Sequence, residues 1–144
     1  MADLNLSREF PVPVDTLFAF LTTPEGTAQW WGPEGYSVTH AELDFTKLGA
    51  WTVSMRNAEG TALKISGQVT HVSPPVSLGF TWAWHDPEDI RGEESHVTFT
   101  VEATQNGSRL IVDHRDLPDQ ASADGHVRGW TSTLNRLQAA VSIP

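Results

Sequence analysis

From residue 36 to residue 115 the apolar side chains recur at every second position; beyond that the period changes once, and for good. Trp51, Val53 and Met55 alternate with polar neighbours, and so do Leu63, Ile65, Gly67 and Val69. The same holds for Leu78, Phe80, Trp82 and Trp84, for Val97, Phe99 and Val101, and for Leu110, Val112 and His114. A period of two puts each set on one face of a strand. Tyr36 to Leu43 reads as a further strand, and turn residues separate the runs: Ala58-Glu59-Gly60, Ser73-Pro74-Pro75, an acidic stretch from His85 to Glu94, and Gln105-Asn106-Gly107. Consecutive strands joined by short turns pair antiparallel, and their apolar face needs a cover. Val127, Trp130, Leu134, Leu137 and Val141 fall at spacings of three and four. They predict an amphipathic helix of about four turns that starts near His126, after a loop over residues 116–125.

The N-terminal third completes the layout. Leu4, Leu6 and Phe10 alternate, with Arg8 on the same parity. Pro13 opens a helical period with a stripe of Val14, Leu17, Phe18 and Leu21. Thr23 is an N-cap candidate with Pro24 just inside a second short helix, which Gly32-Pro33 brings to an end. Trp30 and Trp31 close that helix. Adjacent helical residues diverge by roughly 100°, so Trp30 is placed toward the core and Trp31 toward a rim. The expected fold is α+β: a curved antiparallel sheet wrapped around a long C-terminal helix, with two short helices after the first strand.

Composition narrows the function. The 144 residues read as one domain, 1–144. Eighteen acidic residues against nine basic ones give a net charge of −9, which opposes binding to nucleic acid or anionic lipid. Without cysteine there is neither a disulfide nor a thiolate metal site, and the six histidines show no ligand spacing, so no metal or cofactor is expected. No segment approaches the ~20 apolar residues of a membrane span, and the N-terminus lacks the basic and apolar regions of a signal peptide. A cytoplasmic location is expected. Neither a phosphate-cradling glycine loop nor a Gly-x-Ser-x-Gly elbow is present, and Lys64, Glu102 and Asp113 fall on outward parity.

Four stretches carry a resemblance: Phe10 to Tyr36 with its Trp-Trp-Gly-Pro, Gly67 to Trp84 with Pro-Pro and Leu-x-Phe-x-Trp, the hairpin Ser95 to Leu117, and the helix start at Gly129-Trp130. Together they resemble the family named after the activator of heat-shock-protein-90 ATPase, within the START-like, birch-pollen-allergen-like (SRPBCC) superfamily. The chain departs from that pattern at Thr46 and Leu48, where the family often has Arg and Gly, and at Gly26 and Thr27. The separate chaperone-gripping domain of the namesake activators is not expected here. The resemblance implies a helix-grip fold with a cavity between sheet and long helix that takes a small hydrophobic or amphipathic molecule. By parity the candidate lining is Trp51, Met55, Ile65, Phe80, Trp82, Trp84, Phe99 and His114 from the strands. Trp130 and Leu134 face back from the helix, and Trp31 lies at the rim. No catalytic residue is assigned. Two other readings stay open: a polyketide cyclase or aromatase type of enzyme that uses His114, and a chaperone-associated or other protein-interaction module. A homodimer is also left open.

Overall fold

The structure, a computed structural model, describes residues 1–142. Strand β1 (Ala2–Phe10) leads into helices α1 (Val14–Thr22) and α2 (Pro24–Thr27). Six strands follow: β2 (Tyr36–Glu42), β3 (Gly49–Asn57), β4 (Ala62–Ser73), β5 (Ser77–Trp84), β6 (Ser95–Thr104) and β7 (Gly107–Leu117). The chain then forms α3 (Gln120–Val141). The strands make one antiparallel sheet in the order β1-β7-β6-β5-β4-β3-β2. The period-two pattern dictates this meander, and β1 adds at its far edge by pairing with β7, Leu6 opposite Val112. Register shifts in β1, β2 and β4 bend the sheet. This is the helix-grip architecture.

The inward parity holds: Trp51, Val53, Met55, Ile65, Val69, Phe80, Val97, Phe99, Leu110 and Val112 are all buried. One core residue comes from outside the strands. Phe45, in the β2–β3 loop, is fully buried and stacks on Phe80 with centroids 4.6 Å apart, and its N–H donates to the Thr22 carbonyl at the end of α1. No alternation marks it, because the loop has no period.

Two helix boundaries differ from the sequence expectation. Helix α2 stops at Thr27, and Trp30 and Trp31 lie beyond it in a turn whose N–H groups both bond to the Thr27 carbonyl. Helix α3 begins six residues earlier than expected and runs for 22 residues. Asp119 is its N-cap, the carboxylate accepting the Ser122 N–H at 2.8 Å. The residues taken for a loop, among them Asp124 and Gly125, are its first turns. Gly and Asp are poor helix formers, but this N-cap and the tertiary packing outweigh their propensity.

Gly67 marks where β4 approaches its neighbours most closely. A methyl group there would overlap the Thr81 carbonyl of β5 and lie 2.8 Å from the Trp51 indole nitrogen. Beside it the Gln68 N–H turns from the ladder to the Thr81 hydroxyl at 2.8 Å. Gly67→Ala is therefore expected to destabilise the fold by about 2–3 kcal/mol through overpacking. Urea unfolding would measure it, and a loss below about 0.5 kcal/mol, the scale of a neutral surface change, would contradict this account.

Candidate functional site

Helix α3 makes its close backbone approaches to β1 and β7. Over β3–β5 the gap is left to side chains, and there a partly enclosed cavity of about 280 Å³ remains. One helical face borders it: Ser122, Gly125, His126, Gly129, Trp130 and Thr133, at steps of three and four. Opposite stand Met55, Ile65, Trp82 and Trp84, and the lip is the stretch Trp30 to Pro33. The glycines make the space. A Cβ on Gly129 would meet nothing within 4 Å, and one on Gly125 would meet only the Arg128 guanidinium, 3.7 Å away. Gly129 therefore faces empty volume and does not serve close packing.

The tryptophan pair is built into the wall. Trp30 is 1% exposed, and its indole N–H donates to the Phe20 carbonyl at 2.7 Å, tying the lip to α1. Trp31, expected at a rim, is 3% exposed and central: its ring centroid lies 5.5 Å from Trp51 and 5.9 Å from both Phe45 and Trp82. The cause is the turn that replaces the helix end, completed by Gly32 at φ +87°, beyond which Met55 closes in. The indole N–H groups of Trp31, Trp51 and Trp82 have no oxygen or nitrogen partner. The three rings pack against one another, with centroids 5.5 Å (Trp31–Trp51), 5.9 Å (Trp31–Trp82) and 6.0 Å (Trp51–Trp82) apart. Arg136 of α3 seals the lip, donating from Nη1 to the carbonyls of Trp31 at 2.7 Å, Gly32 at 3.2 Å and Tyr36 at 3.3 Å.

His114 lies behind this wall, fully buried. The Trp130 indole N–H donates to its Nδ1 at 3.1 Å, which puts the ring proton on Nε2. Nε2 then donates to the Ser95 hydroxyl at 2.7 Å, and that hydroxyl donates to the Trp82 carbonyl at 3.2 Å. Every polar atom is satisfied with the ring neutral. Burial pushes its pKa from 6.5 down to about 3, and the neighbouring His126 and His96 add to the shift. His126 lies on the cavity wall, 4.9 Å from His114 between centroids. Its Nδ1 donates to the Ser122 carbonyl at 2.7 Å, and its Nε2 accepts the Trp84 indole N–H at 3.0 Å.

Of the residues proposed from sequence, Trp31, Met55, Ile65, Trp82, Trp84 and Trp130 stand together on the cavity wall. Phe80, Phe99, His114 and Leu134 are buried behind it, and Trp51 turns to a separate groove on the β3–β4 side, beside Arg91 and Glu94. Sequence reasoning missed Ser122 and Gly125 because it started the helix too late, and it gave no role to His126, where it placed the helix start. It passed over Thr133 because a small polar residue carries no apolar signal. Arg8 reaches no cavity: it donates to Asn135 at 2.8 Å and Gln138 at 3.3 Å on the outer side of α3. Among the described residues, no three His or carboxylate side chains gather as a metal site, and no helix is long and apolar enough to cross a membrane.

The neutral His114 makes a testable pH dependence. Its pKa is lower in the folded chain, so between about pH 6.5 and 3 the unfolded chain binds a proton that the folded chain refuses. The contribution is whole above this window and is lost as the pH falls through it, by at most about 1.4 kcal/mol per pH unit. Urea denaturation between pH 7 and 4 should show a steep fall for the native chain and a shallower one for His114→Gln. Equal slopes would remove His114 as the cause.

A curved antiparallel sheet gripping one long helix, with an apolar cavity between them, defines a START-like protein of the SRPBCC superfamily. The model of the family described as "Activator of Hsp90 ATPase homolog 1-like protein" matches residues 11–142, and the chain belongs to that family. It is similar to the AHSA1 protein of Silicibacter pomeroyi, with 52% identity over 98% of each chain and a TM-score of 0.95. Proteins from Chromobacterium violaceum (20% identity, 99% of this chain and 98% of that one, TM-score 0.86) and Mycobacterium smegmatis (21%, 99% and 91%, 0.83) share the fold. No curated protein matches significantly.

Proposed function

We propose that this protein binds a small, uncharged, largely apolar molecule in the cavity between α3 and β3–β5. The observation that carries this reading is the pair of glycines facing the cavity. Each glycine inside a helix costs about 1 kcal/mol relative to alanine, and Gly129 has room for a side chain. A helix selected only for stability would fill that space. Across from the glycines stand rigid indoles: five of the six tryptophans line the cavity, and no lining residue is Asp, Glu, Lys or Arg. Such a wall offers flat apolar area and no counter-ion, which favours a neutral ligand with an aromatic or alicyclic body.

The cyclase reading rests on His114, whose two ring nitrogens are both engaged inside the core. The interaction-module reading asks for a broad apolar patch. The large exposed apolar residues Met1, Val38, Leu48, Val76 and Ile90 instead lie on separate segments of the chain.

Tryptophan fluorescence tests the proposal directly. Neutral aromatic and alicyclic compounds are expected to shift or quench the emission of the native chain, and Gly129→Phe, which plugs the space, should weaken that response by at least about tenfold, a change worth ~1.4 kcal/mol. Gly129→Ala should raise stability by up to about 1 kcal/mol in the absence of ligand. If Gly129→Phe titrates like the native chain, the cavity is not the binding site.

A further inference from the structure

A second cavity, of about 350 Å³, lies on the other side of Trp84. Its own walls are Gly92 and Glu93 from the β5–β6 loop, Ser95 of β6, and Leu117-Pro118 at the turn into α3. Its remaining walls, Trp82, Trp84, Ser122 and His126, also line the first cavity. The two spaces are thus neighbours with a common partition, and that partition has a thin point. Trp84 is the last residue of β5 and is only half-buried. Its indole is held to α3 by the 3.0 Å bond to His126. Parting two neutral groups that water can solvate costs little, a factor of about two to ten in an equilibrium.

We propose that the two cavities are two subsites for one ligand: an elongated, non-anionic amphiphile whose body crosses the partition when Trp84 swings away from His126. This rests on the reading of the first cavity as a binding site. Size argues for it, because each space lies near the lower end of the ~300–1,000 Å³ range of ligand pockets, while the joined volume falls well inside it. Energetics argues for it too: each methylene newly buried beyond the partition is worth about fourfold in affinity, so two of them offset the broken bond. The polar end belongs in the second cavity, where Glu93 is the one charged lining residue. A carboxylate accepts hydrogen bonds and repels anions, so it selects a hydroxyl or amine head over a carboxylate. The aromatic first cavity takes the apolar end.

Calorimetric titration with straight-chain primary alcohols of increasing length, and with the amine and carboxylate matched to the longest, decides the question. The native chain should gain about fourfold in affinity per methylene along the whole series, and should bind the matched carboxylate at least about tenfold more weakly than the alcohol or amine. Gly92→Leu narrows only the second cavity; the nearest atom to its Cβ is the Trp84 carbonyl oxygen at 3.3 Å, so a small shift admits the side chain. It should collapse the ratio of long-chain to short-chain affinity. Trp84→Phe keeps an aromatic ring but deletes the indole N–H, and it should raise that ratio by about two- to tenfold. A native-chain plateau at short alcohols, or a ratio unmoved in both variants, overturns the two-subsite proposal and leaves a one-cavity binder. A carboxylate that binds as well as the alcohol overturns the head-group assignment. If no alcohol of any length binds while neutral aromatic or alicyclic compounds still shift the tryptophan emission, the two-subsite proposal falls alone; if neither class binds, it falls together with the apolar-binder reading.

Discussion

One guanidinium sets the shape of the cavity. Arg136 reaches from α3 to three carbonyls of the Trp31–Tyr36 loop, those of Trp31, Gly32 and Tyr36, and Ser132 and Asn135 of the same helix hold Glu34 of that loop. These hydrogen bonds keep the Glu34 carboxyl below the usual carboxylate range, the Asn135 amide contributing most. The lip is therefore joined to the helix by polar contacts around its rim and not by apolar packing across the middle.

The cavity's two sides follow different physical rules. Away from the half-buried Trp84 the indole side is stiff, because indoles have few rotamers and the buried rings brace one another, Trp31 against Trp51 at 70° and 5.5 Å and against Trp82 at 5.9 Å. The helix side is blank, because Gly125 and Gly129 contribute no side chains. A rigid wall facing a blank one keeps its shape when empty and demands little ordering when filled, which is the basis of preorganised binding.

Most of the fold was legible in the sequence, because period two and period 3.6 are direct records of which face is wet. The strands, their parity and the apolar stripe of α3 could be read this way. What could not be read are places where no period exists or where a residue acts by what it lacks. Phe45 reaches the core from a loop. Asp119 caps a helix whose first turns look like turn sequence. Gly125 and Gly129 work by absence, and a pattern of apolar residues registers an absence only as a gap. The parity argument found the aromatic wall but could not separate the rings at the surface of the cavity from those one layer deeper, such as Phe80 and Phe99, because parity assigns a face and not a depth.

The chain of hydrogen bonds through His114 has a direction. It starts at Trp130 on α3, passes through β7 and β6, and ends on the Trp82 carbonyl of β5. Apolar layers alone tolerate small slides and rotations, since one methyl contact resembles the next. This polar thread does not: advancing α3 by one residue would turn the Trp130 indole about 100° away and strand a buried donor and a buried acceptor together. The thread works like a key in a keyway. It fixes the helix at a single rotational setting against the sheet, and so decides which residues of α3 look into the open space.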